Sequence, residues 1–229
     1  LSTDGGLAEF VVAPANTCFE IPDNCSNENA GLAQPLAVAI HSVRRAHIKA
    51  GQNIAVIGVG AIGAFVLAAL SNHDGEIVAM DIDSSRLELA MKLGATKTVL
   101  LGREETPSSI RERFPAGIEV VFETSGVNGA AARAIALTAL GGEVVLLGLN
   151  KTPQELLLSD LVLREINLVT TVAHVCGEDI PEALQLLTDR PLSDLLLDSV
   201  VPLSQVVEMG FEPLSRGSVS GKILVDAQK

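Results

Sequence analysis

The six residues Gly58-Val59-Gly60-Ala61-Ile62-Gly63 constrain this chain more than any other stretch, because of what flanks them. A short apolar run at 53–57 leads in, and a proline-free run at 64–70 with helical character follows at once. Three glycines in six positions arise by chance; between a strand and a helix each has a separate task. Gly58 permits the tight turn out of the strand. Gly60 carries no side chain, so an anionic group can approach the backbone. Gly63 lets the helix pack close to the strand. The unpaired N–H groups at the helix start, with their partial positive charge, face that anion.

Asp81 supplies the second half of the pattern. It ends the next apolar run, 77–80, and lies 18 residues after Gly63. A carboxylate there accepts hydrogen bonds from both hydroxyls of an adenosine ribose and repels a 2′-phosphate. The fingerprint therefore predicts a dinucleotide site that prefers NAD(H) to NADP(H). Asp83 shares or blurs that role. Arg86, near the adenosine half, weakens the preference if it reaches a 2′-phosphate. The alternative is a sheet of the same kind that takes a different nucleotide.

Strand-like and helical segments alternate through the middle of the chain. Strands are expected at 53–57, 77–81, 98–101, 118–122, 143–147 and 166–172, with helices at 84–93, 103–114 and 129–140 between them. That order predicts an α/β fold, a doubly wound parallel six-stranded Rossmann sheet. Upstream, residues 7–13 read as a strand closed by Pro14, residues 14–31 as loop, and residues 31–46 as a helix with Pro35 in its first turn. Downstream, a helix is expected near 179–188 and a closing strand near 222–225. With no Trp or Tyr and only 6 Phe, the core must be aliphatic, as buried parallel strands are.

Charge narrows the partners. The formal net charge is −12, and the close basic clusters are Arg44-Arg45 and Arg111/Arg113. Neither nucleic acid nor an anionic membrane is expected to bind. No run reaches the ~18 apolar residues that span a bilayer. Cys18, Cys25 and Cys176 form no CxxC pair, so a reducing, cytoplasmic setting without disulfides is expected. The loop-like opening at Leu1 reads as the middle of a longer chain.

Several stretches carry a resemblance. These are Gly5-Gly6-Leu7-Ala8-Glu9-Phe10-Val11-Val12, Pro35-Leu36-Ala37-Val38-Ala39-Ile40-His41-Ser42-Val43-Arg44-Arg45, the glycine turn, Leu93-Gly94-Ala95, and Phe122-Glu123-Thr124-Ser125-Gly126. In order and spacing the chain resembles the medium-chain (zinc-type) alcohol dehydrogenases, in their polyol group of sorbitol, butanediol and threonine dehydrogenases. The resemblance implies flanking pieces of a GroES-like β catalytic domain at residues 1–32 and 175–229, around a Rossmann NAD-binding domain at 33–174. It implies an oxidoreductase that transfers a hydride between a secondary alcohol or polyol and the nicotinamide.

The resemblance also assigns residues. Ala61 and Ile62 join the three glycines at the phosphates. Thr124 and Ser125 end strand four on the adenine-ribose side. Leu147 and Gly148 end strand five, and Thr171, Val172 and Ala173 end strand six beside the nicotinamide. Lys222 either reaches the cofactor phosphates or is a solvated surface lysine. His41 is either a proton relay or a packed helix histidine, and His174 either faces substrate or is a loop residue. Cys18 and Cys25 read as free thiols. Relatives pair through the sixth strand, so a homo-oligomer through the coenzyme domain is expected.

Zinc is where the chain departs from the family. Relatives hold catalytic zinc through a Cys and a Gly-His-Glu motif that do not occur in this sequence, so zinc is expected only if ligands exist upstream. Gln34, before Pro35, stands at a metal-shell position where polyol relatives have Glu, and a neutral amide is a poor zinc ligand. The metal site is altered, or other ligands suffice, or this relative has left zinc behind. Two alternatives stay open: a zinc-free reductase similar to quinone oxidoreductases, and a non-catalytic NAD(H)-binding module.

Overall fold

The structure, a computed structural model, describes residues 5–228; the opening Leu1 to Asp4 and the terminal Lys229 lie outside the described residues. Helices α1 (Asn27–Ala30) and α2 (Ala33–Arg45) come first. There follow β1 (Ile54–Ile57), α3 (Ala61–Ala69), β2 (Ile77–Asp81), α4 (Ser84–Leu93), β3 (Lys97–Leu100), α5 (Pro107–Arg113), β4 (Ile118–Glu123), α6 (Ala130–Leu137) and β5 (Thr138–Leu146). The chain continues through α7 (Leu158–Leu163), β6 (Asn167–Thr170), α8 (Cys176–Asp189), α9 (Ser193–Leu196), β7 (Leu197–Pro202), α10 (Glu212–Ser215) and β8 (Lys222–Asp226). It divides into two compact units: Val38–His174, and the residues up to Ala37 together with those from Val175 onward.

The Val38–His174 unit is the expected α/β sheet. Its six strands are all parallel and run in the order β3-β2-β1-β4-β5-β6. The apolar runs set this order. Every residue of β1 and β2 is buried, as strands covered on both faces must be, whereas the edge strands β3 and β6 are largely exposed. Crossovers in such sheets are right-handed, so the helices change face where the strand order reverses, between β1 and β4. The carboxyl ends of those two strands flank the crevice that binds ligands in open α/β sheets.

The other unit contains a two-stranded parallel sheet of β7 and β8, with α1 and α8 packed together. Buried Asn29 joins its distant segments: the Oδ1 accepts the Leu192 and Ser193 amides at 2.8 and 3.0 Å.

Two expectations fail. Residues 7–13 form no strand; Phe10 is 87% and Val12 99% exposed, and among the described residues no strand pairs with them. An apolar run becomes a strand only where a neighbouring strand takes up its backbone hydrogen bonds and buries a face. The fifth strand begins at Thr138, so Gly141-Gly142 lie inside β5, where the register against β4 shifts between Ile118 and Val120. A bulge at paired glycines absorbs the extra residues. Strand β7 and helix α7 have no counterpart in the sequence reading.

Candidate dinucleotide site

A cavity of about 410 Å³ opens at the carboxyl ends of β1, β2 and β4, with Gly58, Gly60, Ala61 and Ile62 forming its glycine wall. The three glycines meet different surroundings. Gly58 has φ +89°, a left-handed conformation that a side chain resists, and a Cβ there would lie 2.8 Å from the Ser125 Cβ. At Gly63 a Cβ would lie 1.9 Å from the Gly58 carbonyl oxygen and 2.6 Å from Thr124 Oγ1, so the helix rests directly on the turn. At Gly60 a Cβ would meet nothing within 4 Å. Its backbone is extended (φ −78°, ψ −164°), so glycine is not required for conformation; what it leaves is open space beside bare main chain. No side chain caps α3, and its first amides have no partner within the helix. That combination is a cradle for a phosphate.

Asp81 ends β2 at the cavity wall with its side chain 3% exposed. Its Oδ2 accepts the Val59 amide at 2.6 Å, and its Oδ1 accepts the Asp83 amide at 3.0 Å. The carboxylate thus ties the glycine turn to the end of β2. Arg86 Nη1 stands 3.7 Å from Oδ2 and also lines the cavity. Asp83 faces away from this task and caps α4. The Ser85 hydroxyl and then the Ser85 amide donate to Asp83, holding its carboxyl below the usual carboxylate range.

Thr124 and Ser125, at the end of β4, line the same cavity. Thr124 Oγ1 is 2.5 Å from the Gly58 carbonyl oxygen and 3.1 Å from that of Ile57, locking β4 to the glycine turn. Ser125 is organised by Glu123, a carboxylate only 2% exposed. Its Oε1 accepts the Ser125 amide (2.8 Å), the Ser125 hydroxyl (2.5 Å) and the Gly126 amide (3.1 Å). The amides of Leu147 and Gly148 donate to the Glu123 carbonyl, so these two residues buttress the turn from behind and do not line the cavity.

The remaining expected residues lie elsewhere. Thr171 and Val172 line a second cavity of about 300 Å³ with His41, Arg45 and Thr170, beyond the end of β6. There Arg45 donates to the Thr170 carbonyl at 3.3 Å. Ala173 has φ +57°, a turn position unusual for alanine. His174 is partly buried just before the boundary between the units. Lys222 starts β8 in the other unit, where burial pushes its ammonium pKa down. Gln34 is exposed in the first turn of α2. Cys18, Cys25 and Cys176 are free thiols, and among the described residues no three His, Cys, Asp or Glu stand where they could hold a metal ion. The donor set of the described residues therefore does not fit zinc.

Sequence reasoning missed Ile57, Met80, Ile82, Leu101, Val127 and Arg133, which complete the first cavity. A signal for Arg133 was present: between Glu123 and Glu143 it is the one charged residue, on an otherwise apolar, alanine-rich helix.

Comparison with known proteins shows the family and the fold. Residues 61–189 match the family described as zinc-binding dehydrogenase. The chain is 31% identical over 230 residues to L-idonate 5-dehydrogenase of Vitis vinifera, covering 97% of this chain and 62% of that protein. It is 32% identical over 228 residues to sorbitol dehydrogenase of Arabidopsis thaliana, covering 96% and 62%. The crystal structure of 2R,3R-butanediol dehydrogenase from Bacillus subtilis superposes with a TM-score of 0.80 at 31% identity, covering 90% of this chain and 60% of that one. The chain thus spans about three fifths of the length of these relatives. From the family match, the shared sheet and the polyol-type relatives together, this chain belongs to the medium-chain, zinc-binding dehydrogenases.

Proposed function

We propose that this chain binds NAD(H) in the cavity beside Gly60 and forms the coenzyme-bearing part of a dehydrogenase acting on secondary alcohols or polyols. The observation that carries the reading is the open space at Gly60, set between two glycines at which a side chain would collide with protein. A diphosphate there meets the uncapped amides of α3. Asp81 stands where the adenosine ribose falls, and two amides occupy only part of a carboxylate's four acceptor sites. Thr124 and Ser125 hold the opposite wall. The nicotinamide, when bound, accepts or supplies the hydride. Thr171, Val172 and Ala173 are positioned by this reading on its side of the sheet. Residues 33–174 form the coenzyme domain, and residues 1–32 and 175–229 belong to a GroES-like catalytic domain. The small-molecule substrate, the absence of nucleic-acid and membrane partners, and a cytoplasmic site with free thiols belong to the same reading.

Fluorescence titration with NADH tests the binding step, and turnover with NAD and a panel of diols tests the chemistry. Saturable NADH binding supports the reading, and no binding to the folded chain overturns it. Gln34 favours a second reading, a zinc-free reductase of the same superfamily. Metal analysis of an active preparation separates the two, since a polyol-type enzyme carries stoichiometric zinc.

The edge strand β6 supports a homo-oligomer. Beside it α7 exposes Leu158 (66%), Val162 (73%) and Leu163 (79%), and β6 itself exposes Leu168 (39%). Light scattering after size exclusion is expected to show a dimer, and the double substitution Leu163→Asp with Leu168→Lys to give a monomer. A monomeric parent removes this interface.

A further inference from the structure

Ser125 and Val127 line the first cavity from a turn that contains two glycines with left-handed backbone, Gly126 (φ +62°) and Gly129 (φ +75°). Glycine backbone gives up the most freedom when it is fixed. Val127 is 54% exposed, so burial does not hold it in place. Glu123 secures the near end of the turn, at the Ser125 and Gly126 amides. The far end, beyond Val127, needs a second anchor.

Residues 149–155, after β5, supply it. Among the described residues this stretch makes no main-chain to main-chain hydrogen bond and belongs to no helix or strand. Side chains fasten it instead. Asn128 Oδ1 lies 2.9 Å from Asn150 Nδ2, 3.2 Å from Gln154 Nε2 and 3.1 Å from Thr152 Oγ1. An amide oxygen has two lone pairs, and the Thr152 hydroxyl has another acceptor in Asn150 Oδ1 at 2.8 Å. Asn150 and Gln154 therefore fill the Asn128 oxygen. Gln154 Oε1 in turn accepts the Gly129 amide at 2.9 Å, just before α6. One carboxamide thus grips Asn128 and Gly129 together. These side chains do not line the cavity, so what they govern there is the position of Ser125 and Val127.

We propose that residues 149–154 form a strap fastened behind this wall by Asn128 and Gln154, and that these two are positioning residues for the coenzyme. With the strap fastened, Ser125 and Val127 stand in the geometry that the bound coenzyme meets. This rests on the coenzyme reading above. A wall fixed in advance spares the ordering that binding otherwise costs. The coupling is reciprocal, so coenzyme in the cavity holds the strap down.

Lys151, exposed within the strap, reports its release, because trypsin needs the segment free of the turn to cleave after it. The test follows that one cleavage by mass, beside fluorescence titration of the intact chain with NADH. Saturating NADH is expected to slow the cleavage in the parent by about fivefold or more. Asn128→Ala and Gln154→Ala are each expected to speed it by roughly fivefold and to weaken NADH by a similar factor, with the melting temperature nearly unchanged. Asn128→Asp keeps the acceptor oxygen and, in salt that screens its charge, should bring both readouts back toward the parent. If NADH binds the parent without slowing the cleavage, the strap is overturned and the coenzyme reading stands; this arm needs no variant to fold. Faster cleavage with unchanged NADH affinity also overturns it, since that pattern marks a role in the loop alone. So does a loss of affinity in screened Asn128→Asp as large as in Asn128→Ala. If NADH does not bind the folded parent at all, both readings fall together.

Discussion

Gly60→Asp is expected to abolish coenzyme binding while leaving the protein folded. The two halves of this expectation come from the same observation. A Cβ at Gly60 meets no atom within 4 Å, and the backbone there is extended, so the new side chain enters the cavity without moving protein. The melting temperature should therefore stay close to that of the parent. A carboxylate placed there occupies the space that the diphosphate needs and opposes its charge. At about 4 Å and an effective dielectric near 20, two unit charges repel by roughly 4 kcal/mol. Each ~1.4 kcal/mol is a factor of ten, so NADH binding should weaken by at least about 100-fold. Gly60→Ala separates the steric part from the electrostatic one: a methyl group should cost roughly tenfold, with little dependence on salt. A folded Gly60→Asp protein that binds NADH as the parent does would remove the diphosphate from this wall.

The parts of this site that were legible in the sequence depend on local chemistry. Strands β1 and β2 announce themselves because a buried parallel strand needs no alternation, only a run of aliphatic residues. The glycine turn is legible because each glycine answers a steric demand within six residues. The parts that were not legible depend on partners distant in sequence. The apolar run at 7–13 meets no neighbouring strand among the described residues, whereas β7, with mixed composition, is a strand because β8 pairs with it across some twenty residues. Arg133 reads as a solvated helix residue until α6, packed on β4 and β5, brings it to the cavity that Asp81 also lines, and only the assembled sheet does that. Asp81 was expected to serve a ribose. The structure adds a second task, holding the Val59 amide, which no spacing rule announces.

Glu123 shows the same limit and yields the largest expected effect on stability. It ends β4 with 2% of its surface exposed, where an apolar strand end would pack more cheaply. It is kept there by the donors around it. The Ser125 amide, the Ser125 hydroxyl and the Gly126 amide all point at Oε1, and its own carbonyl accepts the Leu147 and Gly148 amides. Gly148 packs so closely that a Cβ there would lie 2.4 Å from Oε2, so no side chain can move in to replace the carboxylate. Glu123→Ala therefore leaves the donors facing a hole, at about 1–3 kcal/mol for each that stays unsatisfied. A total loss near 4 kcal/mol is expected in urea unfolding, with a depressed melting temperature. Glu123→Gln keeps the shape and one acceptor oxygen, and should lose less than half as much. Because Ser125 abuts Gly58, loosening the turn should also weaken NADH binding, and by more than the same destabilisation introduced at a buried position in the other unit, such as Leu187→Ala. If Glu123→Ala and Leu187→Ala affect NADH equally, the carboxylate supports the fold and has no particular hold on the coenzyme turn.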